Sequence, residues 1–183
     1  MKKISVKELV YAAVLLAVGM VLPFLTGQIP AIGKVISPLH YPIFLAGFML
    51  SPVTACILGF VLPLLRSLVF GMPPIYPTAL AMAFELAAYG LFAALLYRML
   101  PKKPWSIYLS LIGSMLGGRI VWGLVSMVLY GVGGQSFGME AFLAGAFITA
   151  WPGILIQLII VPLLVMALSR IGLVKTEPQK AAN

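Results

Sequence analysis

The chain has 183 residues, of which 62% are hydrophobic and only 9% charged, and its net charge is +8; its mean hydropathy is +1.12. Water-soluble domains are about half apolar and about a quarter charged, so this composition excludes a soluble globular fold and requires a lipid environment. The lone Cys56 sits in an apolar run, which excludes a disulfide framework, and the basic residues form no face with interleaved aromatics, which argues against nucleic-acid binding.

The opening stretch "MKKISVKELVYAAVLLAVGMVLPF" begins with basic residues as a signal peptide does. It lacks a cleavage site before polar sequence, and further apolar runs follow, so it reads as a first membrane helix. A helix needs about 20 apolar residues to cross the hydrocarbon layer. Breaks at Pro, Gly and charge predict an all-α membrane protein of six helices, at about 8–25, 41–50, 52–70, 77–100, 105–130 and 141–171, in a single domain over 1–183. The polar, Pro/Gly-rich "TGQIPAIGKVISPLH" is a long loop between the first two. The second helix is too short to cross unless tilted or helped by its neighbours. In the sixth, Pro152-Gly153 predicts a kink.

Lys and Arg set the orientation. Lys2, Lys3 and Lys7 precede the first helix, Arg98, Lys102 and Lys103 lie between the fourth and fifth, and Arg170, Lys175 and Lys180 follow the sixth. With six crossings all three clusters fall on one side, which the positive-inside rule makes the cytoplasm. Both termini are then cytoplasmic, and the loops holding Lys34, "FGMPPIY" and "GVGGQSFGME" are external.

Three ionisable residues remain inside the predicted spans: Arg66, Glu85 and Arg119. Each costs about 2.5–3.5 kcal/mol or more at the bilayer centre, so such residues face a partner or a polar cavity. Glu85 lies roughly 12 Å along its helix from the external end, and two glycines precede Arg119, which would let a backbone or a ligand come close. One reading is a structural ion pair of Glu85 with Arg119 or Arg66. The other is an externally open cavity that binds a polar solute. One glutamate cannot neutralise both arginines, and a spare cation in a membrane needs an anion or water.

Helical spacing puts Met82, Glu85 and Tyr89 on one face, and Arg119 and Trp122 on another with Ser126 a turn further on. Trp151 and Gln157 flank the expected kink, and His40 stands at the exit of the long loop. The candidate solute contacts are therefore Glu85, Arg119, Arg66, Tyr89, Trp122, Trp151, Gln157 and His40, although each tryptophan taken singly fits packing better than ligand contact. His40 has no second His or acid at metal-ligand spacing, so no metal site is expected. There is no Ser/His/Asp set, no HExxH and no phosphate-binding glycine loop. The chain is therefore not expected to be an enzyme, and active transport would have to draw its energy from a partner.

Six helices in this length, the long first loop and the small-residue pair in Ala13-Val14-Leu15-Leu16-Ala17 together resemble the substrate-binding S component of an energy-coupling factor (ECF) vitamin transporter. The resemblance covers essentially the whole chain. It implies that Ala13 and Ala17 dock on a transmembrane coupling subunit, with Ala12 and Gly19 widening the smooth patch. It further implies that two ATPase subunits consume ATP in place of a cofactor in this chain, and that the loop after the first helix covers an external pocket. The location it implies is a bacterial plasma membrane.

A buried carboxylate that accepts two N–H bonds suits the amidine-like edge of a guanine, deazaguanine or pterin ring, stacked on Tyr89, Trp122 or Trp151. A queuine-type micronutrient is the first expectation. Arg66 or Arg119 would instead suit an anion such as pantothenate, and pyridoxine or riboflavin stay open. Two other classes compete. A secondary carrier often carries an internal repeat, and none is evident; an intramembrane enzyme using Glu85 as acid or base would find only arginines, poor proton carriers, beside it.

Overall fold

The structure is a computed structural model that describes residues 4–26, 36–134 and 136–174. Lys2, Lys3, Lys34, Lys175 and Lys180, and most of the loop expected to cover the pocket, lie outside the described residues. Within them the chain is all helix, with no strand.

Local chemistry marks most of the element boundaries. Helix α1 (Val6–Val21) starts where the Ser5 side chain accepts the Glu8 amide, and it tightens into a 3₁₀ turn at Leu22–Thr26. Helix α2 (His40–Met49) and helix α3 (Pro52–Phe70) are joined only by Leu50 and Ser51, both extended. Ser51 caps α3 and Pro52 fills its first turn, where no amide hydrogen is needed. Gly71, in the left-handed region at φ 68°, ends α3 because only glycine accepts that conformation without strain. Helix α4 (Leu80–Met99) follows a π-turn at Ile75–Ala79, and helix α5 (Pro104–Val132) runs for 29 residues.

The stretch expected as one helix over 141–171 is broken. Helix α6 (Met139–Leu143) passes into a π-turn at Ala144–Ile148, and helix α7 (Trp151–Arg170) begins after Thr149 and Ala150. The proline ring of Pro152 would clash with the carbonyl four residues earlier, at Ile148. The break therefore falls just upstream of the Pro152-Gly153 kink that the sequence suggested.

Among the described residues five helices are long and apolar enough to cross a membrane: Val6–Leu25, Pro52–Phe70, Ile75–Met99, Pro104–Val132 and Trp151–Arg170. Helix α2, with ten residues, spans only about 15 Å, half the hydrocarbon thickness. Eight of its residues are buried, and it packs against α1, α3, α4 and α7 as a strut inside the bundle.

In lipid, helices gain little from hiding apolar surface and must gain from close van der Waals approach. Helix α4 shows how this is done. A Cβ on Gly59 of α3 would lie 2.3 Å from the Leu86 carbonyl oxygen, and one on Gly90 of α4 would lie 2.5 Å from the Ala55 carbonyl oxygen. The two backbones touch at two levels. Gly47 of α2 meets the Ala93 side chain in the same way. Helix α1 is different: it buries only Ala12, Leu15 and Gly19.

Because the atom opposing Gly59 is backbone, side-chain rotation cannot relieve a clash there. Gly59→Val should cost at least the upper end of about 1–3 kcal/mol, read as a lower melting temperature in detergent. Gly131→Val, with nothing within 4 Å, should melt like the parent.

Candidate functional site

Helices α2, α4 and α5 converge on a single carboxylate oxygen. Glu85 on α4 is 2% exposed, and its Oε1 accepts the Tyr89 hydroxyl at 2.7 Å. Arg119 Nη1 on α5 lies 3.0 Å from the same atom, and His40 Nε2, in the first turn of α2, lies 3.8 Å from it. Tyr89 follows Glu85 by one turn, so the two side chains share a face. A carboxylate buried this deeply needs charge-assisted donors to offset its desolvation, and Arg119 supplies the countercharge.

The two glycines before Arg119 make this possible. A Cβ on Gly118 would stand 2.2 Å from the Tyr89 ring, and one on Gly117 would stand 2.6 Å from the Phe92 ring. The close approach there is made by the ring of the tyrosine that holds Glu85. On its other side the Tyr89 ring lies 5.0 Å from Phe44 and 5.3 Å from His40. These two rings and Gly118 wall it in. Phe44 is a site residue that sequence reasoning did not single out, and nothing local marks it; Gly118 was signalled by the Gly-Gly-Arg run.

His40 is 4% exposed, and neither of its ring nitrogens has a hydrogen-bond partner; the hydroxyls of Tyr41 and Ser126 are also buried without one. Among the described residues no group of three His, Cys, Asp or Glu comes together as a metal site would require.

The remaining candidates are spread around this cluster. Arg66, 2% exposed, does not join Glu85: its Nη1 donates to the Met20 carbonyl. Its guanidinium lies 5.2 Å from the Phe24 ring and 5.0 Å from the Phe70 ring. The second arginine is thus satisfied by a backbone carbonyl and two aromatic faces, not by a carboxylate. Trp122, one turn from Arg119, stacks on Phe142 at 6.3 Å and meets Phe137 edge-on at 5.6 Å. Gln157 is buried on α7, whereas Trp151 is 59% exposed.

Residues 7–165 match the family described as ECF transporter, substrate-specific component. The chain belongs to this family. Comparison with curated proteins and with solved structures found no significant match. As an S component, the chain is a multi-pass membrane protein and a substrate-binding subunit of an ECF importer, a class of transport protein rather than of enzyme. Its partners are the components of the ECF module and a small-molecule substrate.

In this S component Ala13 and Ala17 lie on the exposed face of α1, beside the exposed Val10, Val14 and Val18. Ala12 and Gly19 are buried instead, so they do not widen the small-residue patch. Gly19 serves to seat α1 on Leu62, whose side chain would lie 2.6 Å from an added Cβ.

The Tyr89 contact generates a paired expectation. Tyr89→Phe removes one donor from a buried carboxylate and should cost about 1.5–3 kcal/mol. Gly118→Ala should cost at least as much by displacing the whole ring. Melting curves in detergent would check both, and an unchanged Gly118→Ala would show that the ring is not held where it is seen.

Proposed function

We propose that this S component captures a water-soluble vitamin or vitamin-like micronutrient, with Glu85, Arg119, His40 and Tyr89 forming the polar end of its binding site. The observation that carries this reading is His40. An ion pair between Glu85 and Arg119 is complete without it, yet a second titratable ring is buried 3.8 Å from the same oxygen with both nitrogens unpartnered. Such a ring is surplus to a purely structural pair and suits a solute that offers both donors and acceptors. Trp122 and Gln157 serve as walls in this reading. Arg66, engaged with Met20, and the largely exposed Trp151 have no part in it.

The first substrate reading is a flat purine-like or deazaguanine heterocycle of the queuine type, its amidine edge on Glu85 and Trp122 as the wall for its ring. A second reading, pantothenate or another anionic vitamin, is favoured by one observation: Arg119 and His40 together place two cationic or potentially cationic groups around one carboxylate. The first turn of α2, which begins at His40, adds the positive end of a helix dipole.

In this proposal the chain crosses the plasma membrane of a bacterium six times, counting α2, with both termini in the cytoplasm and the loop after α1 outside. It has no cofactor of its own. The coupling subunit docks on the α1 ridge at Ala13 and Ala17, and two ATPase subunits consume the ATP.

Titration of the detergent-purified protein with queuine, guanine and pantothenate, after native mass spectrometry for any co-purified molecule, tests the site. Glu85→Gln should weaken binding of the true ligand at least tenfold, the worth of about 1.4 kcal/mol, while the protein still folds. Equal loss of folding would return Glu85 to a structural role. Ala13→Trp with Ala17→Trp should abolish uptake in cells and leave ligand binding intact; unchanged uptake would remove the docking assignment.

A further inference from the structure

One peptide group in this protein is gripped on both sides by opposite charges. It is the amide linking Leu50 to Ser51, in the two-residue joint between α2 and α3. The Ser51 N–H donates to the Glu8 carboxylate of α1 at 2.7 Å. The Leu50 carbonyl accepts from Arg98 Nη2, in the last turn of α4, at 3.0 Å. The Ser51 hydroxyl lies 2.7 Å from the Thr54 hydroxyl and accepts the Thr54 amide, and both hydroxyls stand within reach of the Glu8 carboxylate. In a capping box, the side chain three residues into the helix reaches back to the N-cap amide. Here Thr54 holds that position, and the acid that reaches the amide comes from a different helix.

Glu8 is one of only four acidic residues in the chain. Helix α1 also has few other attachments: three buried residues along its length, and at its far end the bond from Arg66 to the Met20 carbonyl. Two charged side chains thus pin α1 at its two ends, with the Gly19–Leu62 contact between them. The Glu8 end is the one that ties α1 directly to the end of α2 opposite His40.

We infer that Glu8 is a positioning residue for partner docking: through the Leu50–Ser51 peptide and Arg98 it fixes the angle at which α1 presents its exposed ridge to the coupling subunit. This rests on the proposed docking role of α1. A charge-assisted bond to a main-chain amide suits the task, because its geometry is directional and its loss frees one end of the helix without emptying the core. Ser5 caps the Glu8 amide, and the Glu8 carboxylate, which a capping box would turn back on the Ser5 amide, reaches Ser51 instead.

The test combines two readouts on the full chain. Spin labels at Val10→Cys and Leu109→Cys, both exposed positions on α1 and α5, report the α1 angle in a Cys56→Ala background by pulsed electron–electron resonance. Co-purification of the co-expressed coupling subunit and ATPases, on unlabelled protein, reports docking. Glu8→Ala should broaden the distance distribution and lower capture of the module roughly tenfold, the worth of one charge-assisted hydrogen bond. Glu8→Gln, whose amide oxygen still accepts from Ser51, should keep both near the parent. Glu8→Asp, one methylene short, should behave like the alanine variant, and its contrast with Glu8→Gln decides the matter if Glu8→Ala does not fold.

Parent-like distances and capture in both Glu8→Ala and Glu8→Asp would overturn the inference. So would reduced capture with a sharp parental distance, since Glu8 would then touch the partner itself, and so would broadened distances with full capture. Ala13→Trp with Ala17→Trp serves as the control. Full capture by that variant would sink the docking reading and with it the positioning role of Glu8, while the distances would still show whether the clamp orients α1.

Discussion

A carboxylate set among helices that lie in lipid has no water to turn to, so every donor it uses must come from the protein or from what the protein binds. Glu85 meets this constraint by drawing three helices to one oxygen. Tyr89 can reach it from one turn away only because Gly118 leaves room for the ring. Arg119 can reach it because the same glycine pair brings α5 close to α4. His40 comes within 3.8 Å of it, short of a hydrogen bond, because α2 is short, buried and begins where the cluster lies. The site is a consequence of how closely these helices approach, and that approach is set by small residues in the absence of any hydrophobic drive between helices.

The same constraint applies to the main chain. Backbone groups at membrane depth must be satisfied internally, and each interruption of a helix here carries its own remedy. At the α2–α3 joint, Arg98 and Glu8 satisfy a peptide that neither helix could have used. Before α4 and α7, π-turns carry the chain into the next helix. At the end of α1, Arg66 takes up the Met20 carbonyl. The charged residues described above therefore do two kinds of work. Glu85 and Arg119 neutralise each other beside an unpartnered imidazole, whereas Glu8, Arg66 and Arg98 each serve a main-chain group at a helix end.

This division bears on how an S component combines ligand capture with partner docking in under 200 residues. Among the described residues many large apolar side chains, such as Leu68, Ile120, Leu124 and Ile159, are exposed on the outside of the bundle. Exposed apolar surface alone therefore does not mark a docking face. What recommends α1 as the proposed docking face is its combination of small exposed residues with few buried ones, Ala12, Leu15 and Gly19.

Composition determined that the protein lives in lipid, because nine per cent charge cannot cover a water-exposed surface, and the long unbroken apolar runs made it helical, since barrel strands would alternate instead. Local chemistry marked several helix ends directly: Ser51-Pro52 and Gly71 act through capping and backbone geometry, which need no distant partner. The isolation of Glu85, Arg66 and Arg119 in apolar runs also flagged them as residues in need of partners. Which partners they take was decided by the tertiary structure. Glu85 pairs with Arg119 and not Arg66, the glycines before Arg119 accommodate Tyr89, and Glu8 caps a helix 43 residues away in sequence. Those choices depend on the relative rotation and depth of helices far apart in the chain, which periodicity within each helix does not encode.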